Sequence, residues 1–460
     1  MLAFFLVAWP VDLFRREKTA KTFFTLAQFF LLAVICCTIL FYNKSVFPRY
    51  WQNTPLTTLF KTFVYLLSWA WFYLSSKWFL TKNRPSFKFY AICFMLLFGF
   101  DILASASSLL TLGLVVPFVC AGYYGLIRRH WDIDRVREVS AAYAWTALFF
   151  CLLLWGGIGI IYNQTGSFEY AAVKSFFAAE PGGTVSLAGV LLILAPLMFM
   201  MALVPFHAWF MTFVSVGVLP VCGFMTLIPP LIYICTLVNL MRGCLPSFIE
   251  TTAPFLTIFA VLSLTVGALS ANRENNLRRL FAFLGIYCQG FALTGLIGFS
   301  GDDIMAAFAY IVVAILSFTG IYTVFLSLKR RSEYLSELET VSGFSRGRPY
   351  ISAALLVFML SLTGLAPTLG FFGCLSVISG LAENDAWGKI TLLLVSLLFV
   401  ANACLQVIRT LYFATSDNKF DRTDKAIYIC LFINVIVIVA ALINPAWLLR
   451  DALVILGGLS

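Results

Sequence analysis

The chain has 460 residues, of which 61% are hydrophobic and 11% are charged, and its mean hydropathy is +0.94. A soluble domain is about 45–50% apolar and roughly 25% charged, so this composition excludes an ordinary soluble protein and predicts a chain that lies mostly in lipid. The net charge is +10. The lysines and arginines lie in short segments between apolar runs, where they act as topology determinants, and no basic stripe indicates nucleic-acid binding.

The twelve cysteines lie mostly inside apolar runs, where cysteine is usually a small hydrophobic residue. No CxxC pair occurs, and the two histidines, His130 and His207, are far apart. We therefore expect this chain to bind no metal and no iron–sulfur cluster. No phosphate loop, dinucleotide fingerprint or nucleophile–base set stands out, which excludes the common soluble enzyme classes.

The predicted elements are membrane-spanning helices. Residues 1–16 lack the basic start of a signal peptide and are interpreted as a short first span or an interfacial helix. The later apolar runs are too long for barrel strands and do not alternate, and lipid leaves their backbone groups no partners except in a helix. Together they predict about fourteen spans in an all-α membrane protein. The runs cover residues 23–42, 57–79, 88–104, 105–127, 138–162, 185–204, 208–241, 253–271, 279–299, 303–328, 350–374, 388–414 and 425–447.

Charge alternates between successive loops, as successive spans require. By the positive-inside rule the basic loops are cytoplasmic, or on the matrix side in a mitochondrion. The basic loops carry Arg128, Arg129, Arg135 and Arg137, then Arg273, Arg278 and Arg279, then Lys329, Arg330, Arg331, Arg346 and Arg348. The intervening acidic loops carry Glu169 and Glu180, then Asp302 and Asp303, then Glu383 and Asp385.

Two segments interrupt the helical pattern. The first runs from Leu203 to Phe210 and is followed by prolines, and the second runs from Leu360 to Gly373. Because proline removes a helix hydrogen bond, both segments predict broken helices. Such breaks in two halves of a chain are typical of inverted-repeat transporters, although kinks in ordinary helices produce the same pattern. The residues of the helix-break motif are Pro205, Pro220, Pro230, Gly364, Pro367 and Gly370.

Three stretches together resemble one family. Val204 to Trp209, with Pro220 beyond, resembles a PFHxW…P motif, and Asn276 to Phe281 resembles an N-I/L-K-R-L motif. Arg348-Pro349 followed by Ser361 to Gly373 resembles an RP…SLAGIPxxxGFxGK motif. The family is that of the antiporter-like membrane subunits of respiratory complex I, and the match is collinear from about residue 90 to 415. Mrp-type cation/proton antiporter subunits share the fold and some of the motifs.

The resemblance implies two inverted five-helix repeats. It places N-terminal helices in residues 1–87, the first repeat in 88–271, the second in 272–415 and a C-terminal helix and tail in 416–460. It also implies other complex I membrane-arm subunits as partners, and a bacterial or mitochondrial inner membrane as the location. The whole complex uses NADH and quinone, and we expect neither molecule to bind to this chain.

The family's proton relay uses buried lysine, glutamate and histidine residues, and this sequence lacks most of them. The lysine positions fall at about Met200, at about Pro230 and at Cys374, the glutamate position at about Leu112 or Val115, and the histidine position at Cys288. Buried titratable groups are what a transmembrane proton path needs. The sequence therefore predicts a retained architecture with a degenerate relay.

Three residues remain candidates for a proton path, namely His207, Arg278 and Asp101. Each has a plainer interpretation. A histidine beside a helix break is often structural, an arginine that keeps its proton at any accessible pH is a poor relay group, and Asp101 could lie at a helix end. The alternatives left open are a complex I subunit, an Mrp-type antiporter subunit and a purely structural membrane-arm subunit.

Overall fold

The computed structural model describes residues 17–41, 47–81, 87–128, 134–180, 182–330, 333–414 and 420–440. Several sequence-based expectations lie outside these ranges. They are the first span or interfacial helix in residues 1–16, the central part of the first basic loop with Arg129 and His130, Arg331 in the third basic loop, and the tail from residue 441 onward.

The described chain is almost entirely helical. Its α-helices are α1 (Glu17–Leu40), α2 (Pro55–Thr81), α3 (Phe87–Ala104), α4 (Leu109–Arg128), α5 (Asp134–Thr165), α6 (Tyr170–Ala179), α7 (Thr184–Met200), α8 (Ala208–Val216), α9 (Leu219–Leu227), α10 (Pro229–Gly243), α11 (Ile249–Ala271), α12 (Leu277–Gly295), α13 (Gly301–Ser327), α14 (Phe344–Gly347), α15 (Pro349–Leu362), α16 (Leu369–Glu383), α17 (Trp387–Phe413) and α18 (Lys425–Ala440). Two 3-10 turns, Pro246–Phe248 and Glu339–Val341, and an antiparallel two-residue ribbon of β1 (Lys329–Arg330) and β2 (Glu333–Tyr334) complete it.

Length and composition make many of these helices suited to a bilayer. Six segments of at least 18 residues are apolar enough to span a membrane, and six shorter helices are also apolar. A helix rises about 1.5 Å per residue, so about 20 residues cross the hydrocarbon core. The prediction of an all-α membrane protein is confirmed, while the count of fourteen spans stays a prediction. The long spans are Leu109–Arg128, Val136–Thr165, Leu219–Gly243, Pro246–Ala271, Gly301–Ser327 and Trp387–Phe413.

Two compact units make up the fold. Unit 1 lies within Met1–Met201 and Ile228–Pro254, and unit 2 lies within Ala202–Leu227 and Phe255–Ser460. The repeat boundaries expected from the family resemblance stay a prediction, since these units are defined by packing and not by symmetry.

In unit 1 sequential helices pack as neighbours. The principal contacts are α1 with α2, α3 with α4, α4 with α5, and α5 with α7. Helix α10 also packs on α2 and α3. The side-chain amide of Asn239 on α10 donates a 2.7 Å hydrogen bond to the carbonyl of Ala106, in the turn between α3 and α4. This bond satisfies a backbone group at a helix junction, where intrahelical partners are missing.

In unit 2 helix α13 is the central element. It packs against α12, α15, α16 and α18, and nearly all residues of Gly301–Ser327 are buried. Its N-terminus is fixed by a capping box, in which Ser300 accepts from the Asp303 amide and Asp303 accepts from the Ser300 amide. A helix that is apolar on all sides is buried on all sides, which explains the position of α13 in the core.

Candidate functional site

The first helix break is a turn between α7 and α8. Helix α7 ends at Met200, the Val204–Pro205 peptide bond is cis, and α8 begins at Ala208. Within unit 2, the backbone amide of Val204 donates to the Ser263 hydroxyl at 3.0 Å. The backbone donor freed by the break is thus satisfied by a side chain on α11, as buried amides require.

His207 occupies the N-cap position of α8. Its Nδ1 atom is buried and makes no hydrogen bond within the described ranges, and its ring lies 6.3 Å from the Phe283 ring, centre to centre. A buried ring nitrogen without a protein partner is a place for water. No salt bridge in the described chain involves His207.

Arg278 lies in the first turn of α12, which Asn276 caps by accepting from the Arg278 amide at 3.0 Å. Its Nη1 donates to the carbonyl of Gly217 at 3.4 Å, and Gly217 is the C-cap of α8. A cation at a helix C-terminus satisfies a free carbonyl and interacts favourably with the helix dipole. This contact places the Arg278 guanidinium at the end of α8.

A small cavity adjoins Arg278. Its volume is about 30 Å³, and it is lined by Leu219, Cys222, Gly223, Thr226, Arg278, Phe281, Phe318, Ile321, Tyr322 and Phe325. A water needs roughly 10–15 Å³ measured in this way, so the space holds two or three waters. That is enough to hydrate the guanidinium but not enough for a continuous chain across unit 2.

The prolines after this turn begin new helices. Pro220 is the second residue of α9, and Pro229 and Pro230 are the first two residues of α10. Proline is favoured at the first helical positions because its missing N–H has no intrahelical acceptor there. The apolar run 208–241 is therefore three helices.

The second break depends on two glycines that admit close backbone contacts. Gly364 has a φ of +64°, and a Cβ there would also lie 2.7 Å from the Cys374 sulfur. At Gly370, in the first turn of α16, a Cβ would lie only 1.7 Å from the Ser361 carbonyl oxygen. The intervening Ala366–Pro367 bond is cis. Only glycine fits position 370, because any side chain would overlap the backbone of α15.

Uncharged side chains fill the expected relay positions. Met200, Cys288, Cys374, Leu112 and Val115 are between 0% and 8% exposed. None of them carries a charge, and none leaves space for a longer polar side chain without repacking.

Neutral hydroxyl pairs also join buried helices. In unit 1 the hydroxyls of Tyr123 on α4 and Tyr233 on α10 lie 2.5 Å apart. In unit 2 the Ser317 hydroxyl on α13 donates to Ser361 on α15 at 2.8 Å. Satisfied neutral hydrogen bonds stabilise buried helix contacts and do not place a charge in the core.

Asp101 lies in the last turn of α3, is half-buried and forms an ion pair with a buried lysine. The Lys61 ammonium on α2 lies 2.9 Å from the Asp101 carboxylate, and the two side chains are 3% and 14% exposed. The Tyr65 hydroxyl donates to the same carboxylate oxygen at 2.8 Å. Lys61 also donates to Asn53 at 3.0 Å and lies 5.0 Å from the Trp51 ring centre.

Sequence reasoning identified Asp101 but missed Lys61. The available signal was a lysine inside the apolar run 57–79, since an ionisable residue in such a run generally has a partner. Among the side chains that the structure describes, Lys61 and the capping residue Asp303 are the only formally charged residues that are buried. Asp101 belongs to unit 1, whereas His207 and Arg278 belong to unit 2, where they lie at the starts of the packed helices α8 and α12.

Across the parts of the chain with described positions, no group of three histidine, cysteine, aspartate or glutamate side chains could hold a metal ion. The polar groups present instead suit structural hydrogen bonding.

Comparisons with known proteins agree with these features. The family model described as NADH:quinone oxidoreductase/Mrp antiporter, transmembrane region, matches residues 106–400. The chain is 22% identical over 364 residues to NADH-quinone oxidoreductase subunit N of Parvibaculum lavamentivorans, covering 79% of this chain and 75% of that protein. It is 26% identical over 368 residues to the protein of the same name from Thiobacillus denitrificans, covering 80% and 76%.

Solved structures show the same fold in more than one kind of complex. A chain of respiratory complex I from Thermus thermophilus superposes with a TM-score of 0.82 at 21% identity, covering 98% of this chain and 97% of that chain. A chain of the Mrp complex from Dietzia sp. DQ12-45-1b superposes with a TM-score of 0.81 at 15% identity, covering 97% and 94%.

Proposed function

The chain belongs to the NADH:quinone oxidoreductase/Mrp antiporter transmembrane family, and from this premise we propose that it is subunit N of a proton-translocating NADH:quinone oxidoreductase. It would complete the membrane arm beside other membrane-arm subunits. The curated relatives that support this assignment carry the name NADH-quinone oxidoreductase subunit N.

One observation carries the second part of the proposal, that this subunit moves few or no protons along its own path. The glycines and prolines that build the two breaks are kept, whereas Leu112, Val115, Cys288 and Cys374 bury uncharged side chains where the family's relay has charges. A backbone with both helix breaks but with no lysine, glutamate or histidine at these positions lacks the fixed sites between which the family's relay would pass a proton.

Subunit N would be a non-catalytic part of the enzyme. NADH and quinone would act elsewhere in the complex, and this chain would bind neither of them. Its contribution would be to keep the membrane arm assembled while neighbouring subunits carry the coupled proton movement.

The three candidate residues fit this proposal unequally. Arg278 contacts the end of α8 through the Gly217 carbonyl, and Asp101 is held by Lys61 and Tyr65. We propose that both act as structural anchors. His207, with a buried nitrogen that has no hydrogen-bond partner in the described chain, is the candidate that we propose to be in contact with water.

The second candidate function is a subunit of an Mrp-type cation/proton antiporter, favoured by the fold shared with the Dietzia complex. Cation exchange requires membrane-embedded carboxylates and lysines. In the described helices, Lys61 and Asp101 form an ion pair with each other. Neither charge is therefore free to bind a cation, which weighs against this alternative.

Purification from the native membrane in mild detergent, through a tag on this chain, tests the assignment. Mass spectrometry of the co-purifying proteins should find membrane-arm and peripheral-arm subunits of an NADH:quinone oxidoreductase. Recovery of the chain alone, or with antiporter subunits, would contradict the proposal. The ratio of protons translocated to NADH oxidised then tests the degenerate relay, with Cys374→Lys as the restoring variant, for which we expect no gain.

A further inference from the structure

An apolar groove runs along the outer surface of unit 2 between α15 and α18. Its volume is about 520 Å³, and it is lined by Tyr350, Ile351, Ala353, Ala354, Val357, Tyr428, Ile429, Leu431, Phe432 and Val435. Its walls are open to the surroundings: Tyr350 is 82% exposed and Phe432 is 67% exposed. Exposed apolar surface is ordinary in a chain that lies in lipid, so the occupant of this groove depends on the polar and charged groups beside it.

The two helices that form the groove begin at the same end of it. Tyr350 and Tyr428 line the groove near the starts of α15 and α18, and Val357 and Val435 line it further along both helices. At about 1.5 Å per residue the lined stretch is about 10 Å long. This is shorter than one leaflet of a hydrocarbon core about 30 Å thick, so it suits the upper part of a single acyl chain.

The starting end of the groove is basic. Arg346 and Arg348 precede α15, and Arg422 and Lys425 lie at the start of α18, against the two carboxylates of Asp421 and Asp424. Arg348 joins the two sides of this end, because its Nη1 donates to the Tyr428 hydroxyl at 3.0 Å and its Nη2 to the Asp421 carbonyl at 2.6 Å. The excess of positive charge therefore lies beside the apolar lining.

The direction of the helices adds to this charge. Helix α15 has no side-chain N-cap, whereas the start of α18 is capped by Asp424, which accepts from the Ala426 amide at 3.4 Å. The positive end of the α15 dipole therefore adds to the charge at this end of the groove. The basic loops are also expected on the cytoplasmic side, where anionic headgroups attract cationic residues.

From the combination of a basic end and an acyl-sized apolar lining, we infer that this groove binds an anionic phospholipid. One acyl chain lies between α15 and α18, and the phosphate lies near Arg346 and Lys425. Beneath the phosphate, Arg348 joins the start of α15 to the start of α18. The bound lipid stabilises the packing of α18 on α15 within unit 2.

Native mass spectrometry of the full chain, in the assembly in which it is purified from nanodiscs, tests the inference. We expect one retained lipid from discs of phosphatidylglycerol and none from discs of phosphatidylcholine. The variant Arg346→Gln/Lys425→Gln should retain about thirtyfold less lipid, since each of the two cations near the surface contributes on the order of 1 kcal/mol and about 1.4 kcal/mol is a factor of ten in affinity. Arg273→Gln, an exposed arginine of another basic loop, is the matched control and should retain lipid as the wild type does.

A second variant fills the groove without changing charge. Ala353→Phe places a ring in the lining at an exposed position, and Ala142→Phe is the control at an exposed position of α5. We expect only Ala353→Phe to release the lipid and to lower the midpoint of thermal denaturation in phosphatidylglycerol. Equal retention from both kinds of disc, equal loss in the Arg273→Gln control, or cross-linking of groove residues to a protein segment without retained lipid would overturn the inference.

Discussion

The ammonium of Lys61 lies 2.9 Å from the carboxylate of Asp101, and this ion pair joins α2 to α3 in a buried position. Tyr65 donates to the carboxylate and Asn53 accepts from the ammonium. Each charge therefore has a hydrogen-bond partner besides the other charge, which is the condition under which buried charges are tolerated.

Removing one partner of this pair should be costly. Asp101→Asn leaves the Lys61 charge buried without compensation, and such changes cost about 3–5 kcal/mol. We expect a clear fall in the midpoint of thermal denaturation of the purified chain in detergent. The measurement is a thermal melt followed by loss of folded protein on size-exclusion chromatography.

The matched control removes the whole cluster. The triple variant Lys61→Met/Asp101→Leu/Tyr65→Phe leaves neither a charge nor a hydroxyl unpaired, and hydrophobic replacement of a buried pair is often neutral or stabilising. We expect it to melt within a few degrees of the wild type and to support unchanged proton translocation in the assembled complex. Loss of translocation with assembly intact would show that the pair carries protons.

The Lys61–Asp101 pair also shows which structural features could not be predicted from the sequence. Hydropathy predicts that α2 and α3 lie in the membrane, because it averages over all faces of a helix. Which residues meet is decided by helix rotation and packing, and the two charges are 40 positions apart in the chain. The breaks were easier to predict, because Pro205, Gly364 and Pro367 act through local backbone geometry. The groove between α15 and α18 could not be predicted, since it is formed by segments distant in sequence.

Gly370 offers a sharp test of the second break. A Cβ at this position would lie 1.7 Å from the Ser361 carbonyl oxygen, so Gly370→Ala should separate α15 from α16 and cost more than about 4 kcal/mol. We expect little folded protein in the membrane fraction, measured by the fluorescence of a C-terminal reporter.

Gly373→Ala is the control on the same helix. A Cβ there would meet the Tyr310 Cα at 3.3 Å and the Val313 Cβ at 3.7 Å, contacts that a small shift relieves. We expect a cost of about 1 kcal/mol or less, within the range of ordinary substitutions. Similar yields for Gly370→Ala and Gly373→Ala would contradict the close approach at Gly370.

Loop charge predicts which side of the membrane each loop faces. Arg273 and Glu180 are both exposed and belong to loops expected on opposite sides. In a background without native cysteines, Arg273→Cys should react with a membrane-impermeant maleimide only in inverted vesicles, and Glu180→Cys only in right-side-out vesicles. Labelling of both positions from the same side would refute the predicted orientation.

A substitution of Arg278 tests whether this residue is a structural anchor or a proton-relay group. Its guanidinium donates to the Gly217 carbonyl at the end of α8, so Arg278→Ala should destabilise the chain by about 1 kcal/mol through loss of one hydrogen bond. Arg279→Ala is the control, because Arg279 is 45% exposed and pairs with Glu274, where an ion pair contributes little. In vesicles containing the assembled complex, both variants should keep the wild-type ratio of protons translocated to NADH oxidised. A purely structural contact would alter stability without altering the ratio. A large fall in the ratio for Arg278→Ala alone, with subunit composition unchanged, would therefore mean that this subunit still moves protons through Arg278.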